Sequence, residues 1–153
     1  MENIEIERKF LVSYIPDLKN CKSYYIKQGY LSINPVLRIR QKNEKYIFTF
    51  KGKGDIQREE FEKQITKEEF ENLWLKIEGE PIIKTRYIIP LENGLLAELD
   101  IYDGSLKGFK NVEVEFNNIK DAENFVPPDW FGEDITKNVK YTNAYLSKVS
   151  AKK

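Results

Sequence analysis

The chain has 153 residues, a third of them charged, with 25 Lys and Arg balanced by 25 Asp and Glu. That length suits one domain with a real core, and zero formal charge sets up no global field to attract nucleic acid or an anionic membrane. Histidine is absent and Cys21 is the single cysteine, which excludes histidine triads, a histidine base, the usual zinc site and an internal disulfide.

A metal bound by this chain would have carboxylate and water ligands, which suit Mg²⁺, Mn²⁺ or Ca²⁺. The N-terminal residues are charged where a signal peptide is apolar, and no run approaches the roughly 20 apolar residues of a membrane helix. The expectation is a cytoplasmic protein with one domain over residues 1–153.

The first predicted strand, Asn3 to Val12, projects Glu5, Glu7 and Lys9 one way and Ile4, Ile6 and Phe10 the other, with Arg8 an exception on the apolar side. Aromatic and β-branched residues predict a second strand from Ser23 to Leu31, with Tyr24, Ile26, Gln28 and Tyr30 on one face. After a turn at Ser32–Pro35, Val36 to Gln41 sets Leu37 and Ile39 against Arg38 and Arg40. Lys45 to Lys51 sets Tyr46, Phe48 and Phe50 against Ile47, Thr49 and Lys51, and the loop Gly52-Lys53-Gly54-Asp55 follows. Gln57 to Ile65 places Arg58, Glu60 and Glu62 on one side, with Glu59, Phe61 and Lys63 opposite.

A helix comes next. Thr66 with Glu69 is a capping-box signature; Phe70, Leu73, Trp74 and Ile77 form a core-facing stripe, and Gly79 sits where a stop belongs. Ile82 to Ile89 carries Lys84 and Arg86 against Ile83 and Tyr87, and Glu92-Asn93-Gly94 signals a hairpin. Leu95 to Tyr102 sets Glu98 and Asp100 against Ala97, Leu99 and Ile101; Lys110 to Phe116 sets Glu113 and Glu115 against Val112, Val114 and Phe116. A short helix, Ile119 to Phe125, is stopped by Pro127-Pro128, and Trp130-Phe131-Gly132 reads as a packed loop. Thr136 opens a turn, and Tyr141 to Val149 reads as a terminal helix with Ala144, Tyr145 and Val149 on one side.

For one strand, charge at alternate positions ordinarily marks the wet face of an antiparallel sheet. Here the charge is also sorted by strand: carboxylates on the first and last two, cations on the third and sixth, both on the fifth. Like charges across or along a sheet face destabilise it, so a solvated surface has no use for such sorting. About eight strands can close around a small ligand, and a charged face turned inward would make a polar tunnel. Two like charges about 6 Å apart at a dielectric near 20 repel by roughly 2.8 kcal/mol, and buried pairs seldom repay their desolvation. Ligand binding is the better reason to keep them: Arg and Lys for polyphosphate oxygens, carboxylates for a hard divalent cation. The expected fold is mainly β, a closed eight-stranded antiparallel barrel with a few helices packed outside.

Glu5-Ile6-Glu7-Arg8-Lys9 has the Glu-x-Glu-x-Lys form of the CYTH superfamily, the triphosphate tunnel metalloenzymes. It is followed in family order by Gln28-Gly29-Tyr30-Leu31, Arg38-x-Arg40, Thr49-Phe50-Lys51-Gly52, Arg58-x-Glu60-x-Glu62, Lys84-Thr85-Arg86, Glu98-Leu99-Asp100, Val112-Glu113-Val114-Glu115 and Thr136 through Tyr141-x-Asn143. The chain therefore resembles that family over nearly its whole length. The resemblance implies a triphosphate-containing small molecule as substrate, with Mg²⁺ or Mn²⁺, no nucleic-acid or membrane partner, and room for a homodimer. It implies that Lys9, Arg38, Arg40, Lys51, Arg58, Lys84 and Arg86 grip phosphates, and Lys53 also if its strand continues past Gly52. Glu5, Glu7, Glu113 and Glu115 would hold the activating metal; Glu60, Glu62, Asp100 and Glu98 would hold a second metal or orient the cations. The chain is most similar to the inorganic triphosphatase branch, which implies that Tyr30 and Lys84 prepare the attacking water. A class IV adenylate cyclase, a nucleoside or thiamine triphosphatase, and a non-catalytic polyphosphate-binding module are the rival readings.

Overall fold

A computed structural model of the chain describes residues 3–54 and 56–151, with side chains over 4–54 and 56–147. Asp55 of the glycine-rich loop and the Val149 side chain lie outside the described residues. The strands are β1 (Asn3–Val12), β2 (Lys22–Ser32), β3 (Val36–Lys42), β4 (Lys45–Lys51), β5 (Gln57–Ile65), β6 (Glu78–Pro90), β7 (Leu96–Asp103), β8 (Lys110–Glu115) and β9 (Phe131–Asp134). They hydrogen-bond in the order β5-β4-β3-β2-β6-β7-β8-β1, and β1 pairs back onto β5. That last pairing, with Glu5 opposite Arg58, closes an eight-stranded antiparallel barrel. β9 is an additional strand that runs beside the C-terminal half of β1.

Once a sheet closes, period-two alternation sorts side chains into inside and outside. The apolar core lies outside the wall: Phe10, Leu99, Val112 and Val114 are fully buried there beneath Phe116, Ala122, Trp130 and Phe131. α2 (Ile119–Asn124) and β9 supply that cover. α1 (Lys67–Trp74) covers another part of the outer wall, where the Phe70 ring packs 5.1 Å from that of Tyr46. Both bonds of the Thr66–Glu69 capping box are present.

Several boundaries differ from the sequence reading for local reasons. α1 ends at Trp74, before Ile77 and Gly79. Ile77 instead leaves the helix and packs on Gly29, where an added Cβ would lie 2.7 Å from its Cγ2. Gly79, with φ 71°, belongs to β6, which begins at Glu78 because that residue pairs with Tyr30. Phe131-Gly132, expected in a loop, is strand because Phe131 pairs with Val12; the Gly132 Cβ position is only 3.2 Å from the Leu11 backbone, leaving little room for a side chain.

α1 and α2 lie on the outside, as expected, while α3 (Asn143–Ala151) packs against the barrel's inner wall. Tyr30, Ile82 and Tyr102 point inward but carry no formal charge, and Ala144 and Leu146 cover them. An uncharged end of a charged tunnel needs an apolar cover, and this helix provides it. No helix among the described residues is long and apolar enough to cross a membrane.

Candidate active site

The barrel encloses a cavity of about 570 Å³. Its wall includes Glu5, Glu7, Lys9, Tyr30, Arg38, Arg40, Lys51, Arg58, Glu60, Glu62, Lys84, Arg86, Glu98, Glu113 and Glu115, with Lys53 among them at the rim. Strand register accounts for this gathering. Lys51 lies opposite Glu60, Thr49 opposite both Arg38 and Glu62, Arg86 opposite Asp100, Lys9 opposite Glu113, and Glu7 opposite Glu115. Lys53 lies beyond the end of β4 at Lys51 and is exposed, so the continued strand that would place it on the wall is not present.

On β6 and β7 the charges are fully matched. Arg86 forks onto both oxygens of Asp100 at 2.8 and 2.9 Å, and Lys84 Nζ is 2.7 Å from the same carboxylate. Burial would raise Asp100, but Arg86 and Lys84 outweigh it and hold the carboxyl down to about 2. Its oxygens are thereby committed to orienting two cations. For Lys84, burial outweighs the attraction of Asp100 and pushes the ammonium down to about 7. On β3, Arg40 Nε donates to Gln28 Oε1 at 2.7 Å, and burial followed by repulsion from Arg38 and Arg86 brings it down to about 9. Arg38 donates to Thr49 at 3.2 Å, yet its buried Nε has no partner.

Across the cavity the carboxylates are crowded. Lys51 bonds Glu5 at 2.9 and 3.0 Å, and this outweighs burial to keep Glu5 low. Burial and then Glu113 drive the Glu7 carboxyl well above its ordinary range. Glu113 goes the other way: burial is outweighed by Lys9 and Arg86, which hold it well below. Glu7 and Glu113 thus crowd each other, and their carboxyls are displaced in opposite directions. Burial and Glu5 lift Glu60 to about 7, and burial with Glu5 and Glu98 lifts Glu115. Among the described residues no three carboxylates already converge as a cation cage. The donor chemistry nevertheless fits a hard divalent cation: an all-oxygen set in which a cation would relieve the repulsion of Glu7 by Glu113.

The C-terminal segment is tied to both faces of β1. Outside, Arg8 donates to the Ala122 and Phe125 carbonyls and to Asp134, which explains a charged residue among apolar neighbours. Thr136 Oγ1 accepts from the Lys9 backbone N–H at 2.9 Å, and inside Lys9 Nζ donates to the Tyr141 carbonyl at 2.8 Å. Other polar residues in or behind the wall have no role in the sequence reading: Gln28, Thr49, Asn111, Asn143 and Lys42. Lys42 continues the Arg38–Arg40 alternation by one step and stands 4.2 Å from the Tyr24 ring centroid, a signal lost by ending that strand at Gln41. Thr49 had the right parity, but its lack of charge concealed it.

Comparisons with known proteins converge on the same fold. The family model for the CYTH domain matches residues 3–143. An inorganic triphosphatase of Nitrosomonas europaea is 42% identical over 94% of this chain and 96% of its own. One of Acetivibrio thermocellus is 33% identical over 94% and 93%. The crystal structure of the inorganic triphosphatase NE1496 superposes with a TM-score of 0.69 at 41% identity, covering 94% of this chain and 93% of that one. By matched length, relatives and inward-facing charge alike, the chain belongs to the CYTH domain family.

Proposed function

We propose that this chain, acting as a single domain, is a divalent-metal-dependent hydrolase that cuts inorganic tripolyphosphate to pyrophosphate and phosphate. The carrying observation is the cation wall: Arg38, Arg40, Lys84 and Arg86 are all buried around one enclosed cavity. Such a wall matches a chain of phosphoryl groups, which offers many anionic oxygens in a short length. The triphosphatase names of the well-covered relatives support the same substrate class.

Lys9, Arg38, Arg40, Lys51, Arg58, Lys84 and Arg86 bind the phosphates, and Lys53 attracts the anion at the rim. Asp100 aims Lys84 and Arg86 rather than ligating a cation, because both its oxygens are taken. Glu7 and Glu113, with Glu5 and Glu115 beside them, would hold Mg²⁺ or Mn²⁺; Glu60, Glu62 and Glu98 are the candidates for a second ion. The metal's contribution when bound is to neutralise charge on the phosphoryl oxygens and orient them. Catalysis by the protein is positioning plus charge stabilisation, as phosphoryl transfer requires. Tyr30 Oη accepts from Gln28 Nε2, leaving its own proton free to donate, and Lys84 Nζ exchanges a proton near neutral pH. Together they hold the attacking water.

Phosphate and pyrophosphate released from tripolyphosphate with Mg²⁺ or Mn²⁺ test the reading. Equal amounts of both are expected; release no greater than that of a Glu113→Ala/Glu115→Ala variant would remove it. ATP in the same assay separates hydrolysis from cyclisation, since only the latter yields cyclic AMP.

A further inference from the structure

Inside the tunnel, Asn143 is the first residue of the helix that covers the uncharged end. Its side-chain oxygen accepts from Lys84 Nζ at 2.5 Å and from Gln28 Nε2 at 2.7 Å. Its amide nitrogen donates to Tyr102 Oη at 2.6 Å, and that phenol also accepts from Asn111 Nδ2 at 2.9 Å. Gln28 Nε2 also reaches Tyr30 Oη at 3.2 Å, while Gln28 Oε1 accepts from Arg40. A single amide thus joins Lys84 and, through Gln28, Tyr30. Tyr102 and Asn111 are buried, so they hold the amide's orientation from behind.

We propose that Asn143 is a positioning residue whose side-chain amide sets Lys84 and Tyr30 relative to each other. The physical reason is rotamer freedom. A lysine has a flexible four-carbon stem, and Asp100 alone fixes its ammonium on one side only. A second acceptor, from a different element, leaves it one direction toward the cavity. Asn143 makes no hydrogen bond to Arg38, which is held by Thr49, or to Arg86, which is held by Asp100, so those two phosphate-binding arginines are oriented without it.

This inference rests on the tripolyphosphatase reading, and the experiment separates the two. The kcat and KM for tripolyphosphate with Mg²⁺, and the thermal midpoint, are measured for the wild-type protein and for Asn143→Leu, Asn143→Asp and Leu146→Ala. Absence of wild-type turnover would defeat the functional reading itself. Given turnover, Asn143→Leu is expected to lower kcat by about 10- to 100-fold with KM within about twofold, the size of effect that misplacing a catalytic group by an ångström produces. Asn143→Asp keeps the accepting oxygen and recovers kcat to within about threefold of wild type, at a raised KM because a carboxylate then faces an anionic substrate. Leu146→Ala loosens the same helix without touching the amide and lowers the midpoint while kcat holds. The proposal is overturned if Asn143→Leu leaves kcat within twofold, if Asn143→Asp fails to recover it, or if Leu146→Ala lowers kcat as much as Asn143→Leu does.

Discussion

Two parts of the tunnel wall handle charge in opposite ways. On β6 and β7, Lys84 and Arg86 share one carboxylate whose oxygens are both occupied, and the protein supplies every counterion itself. On β1 and β8, burial and Glu113 push Glu7 up, and Glu115 is pushed up by burial and its acidic neighbours. The first arrangement is finished in the protein alone; the second lacks positive charge that a bound cation would supply. The difference teaches that equal numbers of acids and bases do not make a tunnel neutral everywhere. Its charge is divided into a pre-aimed cationic wall and an acidic wall left short of positive charge.

Breaking the finished part should have the largest effect. Asp100→Ala removes the carboxylate that two buried cations share, and removing one partner of a buried pair costs about 3–5 kcal/mol. Urea unfolding of the protein without metal is expected to show that loss, and tripolyphosphate turnover to collapse with it. A change below 1 kcal/mol would mean that Lys84 and Arg86 find other partners. The acidic part should respond with the opposite sign. Glu7→Gln removes the surplus charge, so the metal-free protein should unfold at higher urea while losing both turnover and the rise in melting temperature that Mg²⁺ gives. A fall in the urea midpoint would show that Glu7 is matched by the protein after all.

The same contrast predicts a pH dependence of smaller size. Glu60 titrates near 7 in the folded state against an ordinary 4.5, and Glu7 and Glu115 are raised too. The folded chain then binds more protons than the unfolded one between those values, so metal-free stability falls as pH rises from about 4.5 through 7. Lys84 contributes with the opposite slope, but only between about 7 and its ordinary 10.5. Asp100 contributes stability above 3.8 that is lost as pH falls toward 2. Denaturation between pH 5 and 7 should therefore show a declining midpoint that saturating Mg²⁺ flattens; a midpoint that rises over that interval would contradict the crowding.

Most of the wall was legible because a strand makes parity a geometric rule. Glu5, Arg38, Lys51, Glu62 and Glu113 each needed only to be charged and in step with their neighbours. What stayed hidden was either uncharged or delivered by something other than a strand. Gln28, Thr49 and Asn143 stand in the family motifs but drew no role, the first two because they have the right parity and no charge, Asn143 because it arrives on a helix whose inward packing no periodicity reveals. β9 was hidden for a related reason: four residues containing a glycine carry no alternation, and only the Phe10 and Val12 side of β1 makes them a strand. Which cations are free and which are matched depended on distances, so Asp100 and Glu113 read alike in sequence though their surroundings differ.

The smallest effect should lie outside the barrel and calibrates the others. Thr66 caps α1 by accepting from the Glu69 backbone N–H at 3.0 Å, and that helix touches the wall through Phe70 and Tyr46, not through any tunnel residue. Thr66→Ala should cost about 1 kcal/mol in urea unfolding, with kcat, KM and the Mg²⁺-induced rise in melting temperature unchanged. Tyr46 faces α1 while Ile47, next to it on the same strand, faces the cavity. A loss of turnover from this distant cap would therefore mean that the wall yields when its cover loosens. Unchanged kinetics would mean instead that β3 and β4 hold their arginines and lysine by strand pairing alone, and that the effects of Asp100→Ala and Glu7→Gln report on charge rather than on general softening.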